Sequence, residues 1–360
     1  MKALLLGDVS PTSTSAPYFK KKDIPTLFGG TVELFKDKDF ILVNLECALT
    51  EHDTPIMKFG PPLKAPAETA EVLKDLRVTC AGLSNNHIFD FGIKGITDTM
   101  ATLDRQSIDY TGFGENYEDS RKNYTYEKDG ERISVIAVCE HEYSYALEDR
   151  MGARPFDVYD TLDDIREAKA TCDRVIVTYH GGKEMCQYPS PRLMKICRAM
   201  AKSGADVVLC QHSHCIGAYE MYEGCHILYG QGNFHFVEHT ENPLWNTALS
   251  VEYDTKSHEI LFTPLRMGEV GIDLAKGEDK ENIISDFEDR NASLQSGGWK
   301  KGWHDFCEFK RPGYTKAIRE ACNEDSTEKQ NHKFAHYLDC EAHTDVWREL
   351  FPTYNQTNEK

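Results

Sequence analysis

The chain is 360 residues long, enough for one large domain or two ordinary ones, and it carries 59 acidic against 41 basic residues, a formal net charge of −18. A surface of that sign repels nucleic-acid backbones, and no stretch concentrates Lys and Arg into a groove, so no nucleic-acid partner is expected. The 12 cysteines are scattered with no Cys-x-x-Cys, which points to small buried hydrophobes rather than a disulfide framework or a zinc ribbon.

Met1 to Asp8 offers too short an apolar run for a secretory leader, and no later run approaches the ~20 residues of a membrane span. A soluble, cytoplasmic protein is therefore expected. Lys2 to Leu6 reads as a short buried strand ending at Gly7-Asp8. Gly30 to Lys38 has helical spacing, and Phe40 to Val43 is the next strand, ending in Asn44-Leu45-Glu46. Cys47 to Pro66, with His52, Lys58 and several prolines, is long enough to be a binding loop or lid. Ala67 to Leu76 is predicted helical, and Val78 to Leu83 is a third strand that runs into Asn85-Asn86-His87. Asp90 stands just before the apolar periodicity of Ile93 to Gln106 and is expected to cap that helix.

Tyr124 to Val138 reads as a hairpin around Asp129-Gly130, a dipeptide that favours the tight primed turn. It ends in Glu140-His141-Glu142, candidates for the same rim. Thr161 to Ala170 is helical, with Asp160 or Thr161 as its cap, and Arg174 to Tyr179 is a strand ending at His180-Gly181-Gly182-Lys183-Glu184. After a helix from Arg192 to Ser203, the apolar strand Val207 to Cys210 stops at Gln211-His212-Ser213-His214. Two imidazoles at i and i+2 on an extended segment face one way, as a pair of metal ligands must. Two strands then flank Glu223-Gly224, and a last hairpin spans Thr247 to Pro264.

From about Gly268 the chain turns charged and helical, with Trp299, Trp303, Phe306 and Phe309 as expected anchors. Residues 268–360 are expected to form a helical extension packed on a main domain of residues 1–267. His332 and His336 share a helical face but have no acidic or cysteine partner nearby, so they read as structural.

Five strands thus end in Asp8, Glu46, Asn86-His87, His180 and His212-x-His214. In α/β sheets ligands bind at the carboxyl ends of strands, so these distant residues are expected to meet at one edge.

In this order and spacing, Gly7-Asp8-Val9, Asn44-Leu45-Glu46, Asn85-Asn86-His87 with Asp90-Phe91-Gly92, His180-Gly181-Gly182-Lys183-Glu184, His212-Ser213-His214 and Gly232-Asn233-Phe234 resemble the calcineurin-like metallophosphoesterase superfamily. Within it they are similar to the CapA group, associated with bacterial poly-γ-glutamate capsule synthesis. The resemblance covers roughly residues 1 to 265. It implies an α/β four-layer sandwich of two mixed sheets flanked by helices, with two divalent ions at one edge. Asp8 and His214 would hold one ion, Asn86, His180 and His212 the other, with Glu46 bridging and His87 protonating a leaving alkoxide. Ser10 departs from the superfamily's usual His, and Glu46 from its usual Asp; the CapA group is similar in both respects.

Nitrogen and oxygen donors without thiolate suit manganese, iron or zinc. Lys183 and Glu184 are candidates for substrate binding; Lys58 is a weaker one, read otherwise as a solvated lysine. The expected function is metal-dependent hydrolysis of a small anionic phosphate ester. The alternatives are a non-hydrolytic accessory role in capsule or cell-envelope assembly, which Ser10 favours, and metal-assisted hydrolysis of a γ-glutamyl amide.

Overall fold

A computed structural model describes residues 1–353. Its organising strand, Lys2–Val9, is apolar on both faces, which requires cover on both. Ala3 and Leu5 face one way, Leu4 and Leu6 the other, and all four are fully buried. Lys2–Val9 runs parallel to Phe40–Leu45, and the parallel order continues through Cys80–Gly82 to Asp109–Thr111. On its other side Thr247–Asp254 runs antiparallel, followed by Glu259–Met267 and Ile272–Leu274. The short strand Asn233–His235 pairs with the carboxyl end of Lys2–Val9, completing eight strands.

A second sheet of six strands has the order Tyr219–Tyr222, Cys225–Leu228, Val207–Gln211, Arg174–His180, Glu131–Cys139 and Tyr124–Lys128. Ala3, Leu5 and Leu42 of the first sheet pack with Val135, Ile176 and Leu209 of the second, so the two sheets share one core. Each such buried aliphatic side chain contributes roughly 1.5–3 kcal/mol. On the first sheet's outer face, Leu4, Leu6 and Ile41 cluster with Val72 and Leu73 of helix Glu68–Asp75 and with Ile96 and Leu103 of helix Gly92–Gln106. On the second sheet's outer face, Val175, Val177 and Val208 lie under Ile165 of helix Val158–Thr171 and under Leu193 and Cys197 of helix Pro191–Ser203. The layers are helix, sheet, sheet, helix, as the resemblance implies.

The Asp129-Gly130 turn has φ of 54° and 77°, the left-handed pair a primed turn requires. Elsewhere the local reading needs correction. Gly30 to Lys38 is not an α-helix: Gly29–Phe35 forms a 3-10 turn, because two glycines open it and Asp273 Oδ1 takes the Gly30 N–H at 2.8 Å. Helix Val158–Thr171 begins earlier than expected, and its cap is Asp157, which accepts from the Tyr159 and Asp160 amides. Asp90 does not cap helix Gly92–Gln106, whose N-terminal residue Phe91 offers no side-chain bond. All the cysteines except Cys172 and Cys322 are buried, and all are free thiols.

Among the described residues the last four helices are Gly277–Ser296, Trp299–Ala321, Glu328–Asp339 and Glu341–Leu350. The last two are separated by the extended residue Cys340, at φ −69° and ψ 130°. Trp303, Cys307, Tyr314, Val346 and Leu350 cluster with Cys186, but Phe309 is 77% exposed and anchors nothing. Arg192 ties the extension down, with Nη2 2.5 Å from Glu140 Oε1 and Nε 2.9 Å from Asp345 Oδ2. Among the described residues no helix is long and apolar enough to cross a membrane.

Candidate metal centre

Strand register places an asparagine on each side of Asp8: Asn44 in Phe40–Leu45 and Asn233 in Asn233–His235. Asn44 Nδ2 donates to Asp8 Oδ1 at 2.7 Å and lies 3.2 Å from His180 Nδ1. Asn233 Oδ1 lies 2.7 Å from His214 Nδ1. Asn233 Oδ1 accepts from His214 Nδ1 and leaves that ring's Nε2 to act as a ligand, whereas the Asn44 amide nitrogen donates to the Nδ1 lone pair of His180. His180 Nε2 is 3.3 Å from Glu46 Oε1 and 3.0 Å from Asn86 Oδ1.

His212 and His214 converge by a different route from the one expected. The strand ends at Gln211, and both histidines have positive φ, 76° and 51°, so a turn rather than strand alternation brings their ring centroids within 5.9 Å. The turn is secured by the His212 amide, which donates to Asp8 Oδ2 at 3.2 Å.

The donor atoms form two triads that share one residue. Asp8, Glu46 and His180 lie within 4.8 Å of one another, as do Glu46, His212 and His214. The resemblance instead pairs Asp8 with His214 and His180 with His212; His214 Nδ1 is also 3.7 Å from Asp8 Oδ2, and the His180 and His212 rings are 4.9 Å apart. Glu46 is fully buried, and neither of its carboxylate oxygens has a hydrogen-bond partner. Burial, then the Asp8 charge, push its carboxyl well above the usual range. Such a group leaves a strong uncompensated demand for positive charge, and the surrounding oxygens and imidazoles are the donors that bind divalent transition metals. The residues therefore fit the implied pair of ions.

The remaining sequence candidates line the same edge. Asn86 Nδ2 donates to Glu142 Oε2 at 2.7 Å. His87 is nearly buried, with Nδ1 2.7 Å from Asp90 Oδ2 and 3.1 Å from Lys58 Nζ. Burial, with the Lys58 charge added, holds its imidazole down to about 4. Lys58 is not solvated: its side chain is only 3% exposed and is paired with Asp90 Oδ1. Asp90 is drawn away from the helix end because it serves Lys58, His87 and the Leu63 amide together. Lys183 is largely buried with Nζ 3.8 Å from Glu184 Oε2, while Glu184 is half exposed. Ser10 is buried, its amide donating to the His235 carbonyl at 2.9 Å.

Sequence reasoning named Glu142 as a candidate for the rim but gave Asn44 and Asn233 no role, although both stand in its motifs. It also read His336 as having no acidic partner. His336 Nε2 is 3.3 Å from Glu142 Oε1, a partner almost two hundred residues away with no local sequence signal.

Fold and site together define a two-sheet α/β protein with a buried, carboxylate-centred cluster of metal-binding side chains at its strand ends. Residues 2–238 match the family described as bacterial capsule synthesis protein PGA_cap, and the chain belongs to that family. It is similar to the PGA biosynthesis protein CapA of Bacillus subtilis, 29% identical over 245 residues, covering 66% of this chain and 63% of the relative. The capsule biosynthesis protein CapA of Bacillus anthracis is 32% identical over 181 residues, covering 48% of this chain and 44% of the relative. A probable polyglutamine synthesis accessory protein of Mycobacterium tuberculosis is 30% identical over 213 residues, covering 54% and 55%. The chain thus spans less than two thirds of these relatives' lengths. Among solved structures it is similar to a putative 5'-nucleotidase of Staphylococcus aureus, with TM-score 0.46 and 14% identity over 80% of this chain and 58% of that one.

Proposed function

We propose that this protein is a metal-dependent hydrolase that uses a dinuclear centre to cleave a small anionic phosphate ester. The observation that carries the reading is Glu46, a buried carboxylate with two unpartnered oxygens shared by two ligand triads. Asp8, Glu46, His180, His212 and His214 would hold the ions, manganese, iron or zinc, with Asn86 Oδ1 as a further donor. When bound, two such ions supply Lewis-acid polarisation of a phosphoryl oxygen and lower the pKa of a water from about 15.7 towards neutrality.

The other side chains handle the proton and the anion. Asp90 tethers His87 Nδ1 and leaves Nε2 free; an imidazole held down to about 4 is neutral near pH 7, so this nitrogen accepts a proton, and gives one to a leaving oxygen only after taking it up. Lys58 is committed to Asp90, so it positions that pair rather than meeting substrate. Lys183, a largely buried ammonium beside the His180 strand end, is the cation available to an anionic substrate.

Metal analysis and turnover of aryl phosphate mono- and diesters, for wild type and His180→Ala, test the reading. Two bound ions with no ester turnover would sink it. That outcome would favour a non-hydrolytic accessory role in capsule assembly, which the names of the relatives and the missing donor at Ser10 support. Release of glutamate from γ-glutamyl peptides, abolished by His180→Ala, would instead identify an amide hydrolase.

A further inference from the structure

A second cluster of metal-binding side chains lies where the C-terminal helices meet the rim. Glu142, Cys340 and His343 bring a carboxylate oxygen, a thiol sulfur and an imidazole nitrogen within 4.8 Å of one another, and all three residues are buried. The set joins a residue that follows strand Glu131–Cys139 to two residues about two hundred positions later. Cys340 occupies the break between the last two helices, and His343 the first turn of the second.

The surroundings orient these groups for ligation. Tyr314 Oη is 2.6 Å from His343 Nδ1, which fixes the ring and leaves Nε2 as the ligand atom. Glu140 Oε2 accepts from the Ala342 amide at 2.9 Å and from Cys340 Sγ at 3.6 Å, pinning the helix start and the sulfur together. His336 Nε2, 3.3 Å from Glu142 Oε1, is a fourth donor within reach. Thiolate, imidazole and carboxylate in one closed set are the donors of a zinc site.

We infer that Glu142, Cys340 and His343 bind one zinc-class divalent ion, separate from the paired centre, which fastens the C-terminal helices to the rim. Cys340 and His343 lie beyond residue 238, where the family match ends. On binding, the sulfur–hydrogen bond of Cys340 is exchanged for a sulfur–metal bond and the proton passes to solvent. Thiolate, carboxylate and ion then sum to zero charge, which suits a buried position. The Glu142 carboxylate also reaches the paired centre, with Oε2 2.7 Å from Asn86 Nδ2 and 3.8 Å from His212 Nε2. The extension is therefore coupled to the other ligands through one side chain.

Cobalt substitution tests this without any assay of activity, because the proposed paired centre contains no sulfur ligand. Metal-stripped full-length protein reloaded with Co²⁺ should gain a near-ultraviolet thiolate-to-cobalt band that saturates at one equivalent per chain. The band should persist in Glu46→Gln. It should vanish in Cys340→Ser and fall in His343→Gln, each variant retaining one equivalent of metal fewer than wild type. A cobalt-loaded wild type without the band, or an unchanged band in Cys340→Ser, would overturn the inference while leaving the paired centre intact. If neither variant can be recovered folded, the wild-type spectrum decides alone.

Discussion

His141 Nδ1 lies 2.6 Å from Glu341 Oε1, joining the end of a central strand to the start of the last helix. The His141 amide also donates to Glu341 Oε2, at 2.9 Å. Both side chains are partly exposed, so the ion pair contributes no more than about 1 kcal/mol. The bond to Glu341 raises the imidazole above its ordinary value. Its contribution is therefore complete below the unfolded pKa of about 6.5 and is lost as pH climbs through the raised folded value. The melting difference between wild type and Glu341→Gln should be larger at pH 6 than at pH 9; a constant difference would mean that only the amide bond matters.

The Glu46 shift has the opposite chemical character. Its carboxyl is held well above the usual range by burial and then by Asp8, so the folded chain binds that proton more tightly than the unfolded one. Metal-free protein should lose stability as pH rises from about 4.3 towards the raised value. Glu46→Gln removes that loss. Metal-free Glu46→Gln should melt higher than metal-free wild type at pH 8, with the gap narrowing at pH 5, and added metal should rescue only the wild type. Identical melting at pH 8 would show that the carboxylate finds another partner.

Asn233 is fully buried, and its carbonyl oxygen holds His214 Nδ1. Asn233→Ala should weaken metal binding by roughly 10–100-fold, measured by competition with a chelator, while leaving the strand pairing of the first sheet intact. Unchanged affinity would rule out a positioning role for the amide.

Arg192 neutralises Glu140 and Asp345, whose side chains are only 2% and 4% exposed. Arg192→Met leaves two buried carboxylates without their cation, a loss of about 3–5 kcal/mol. The urea midpoint should fall with no change in slope. A midpoint that moves little would mean that water reaches both carboxylates when the guanidinium is gone.

The clustered side chains were legible because each apolar run stops abruptly at Asp8, Glu46, His180 or His212, and the strands of the two packed sheets bring those stops to one edge. Asp90 misled because a carboxylate before a helix has the same sequence appearance whether it caps that helix or holds a lysine across the loop. The supporting asparagines needed strand register: Asn44 and Asn233 matter because they flank Asp8, and neither spacing nor composition reveals which strands are neighbours. The partner of His336 and His343 was hidden for a plainer reason. Their acidic neighbour, Glu142, comes from a hairpin end about two hundred residues upstream.

The family match stops at residue 238, but the first sheet does not. Thr247–Asp254 is hydrogen-bonded along Lys2–Val9, the strand that carries Asp8. A fragment cut at the family boundary would leave that apolar strand with a bare row of amides and carbonyls, an open template on which other copies can add. Expressed alone, residues 2–238 should precipitate rather than fold, and any useful shortened form must retain the hairpin that shields this edge.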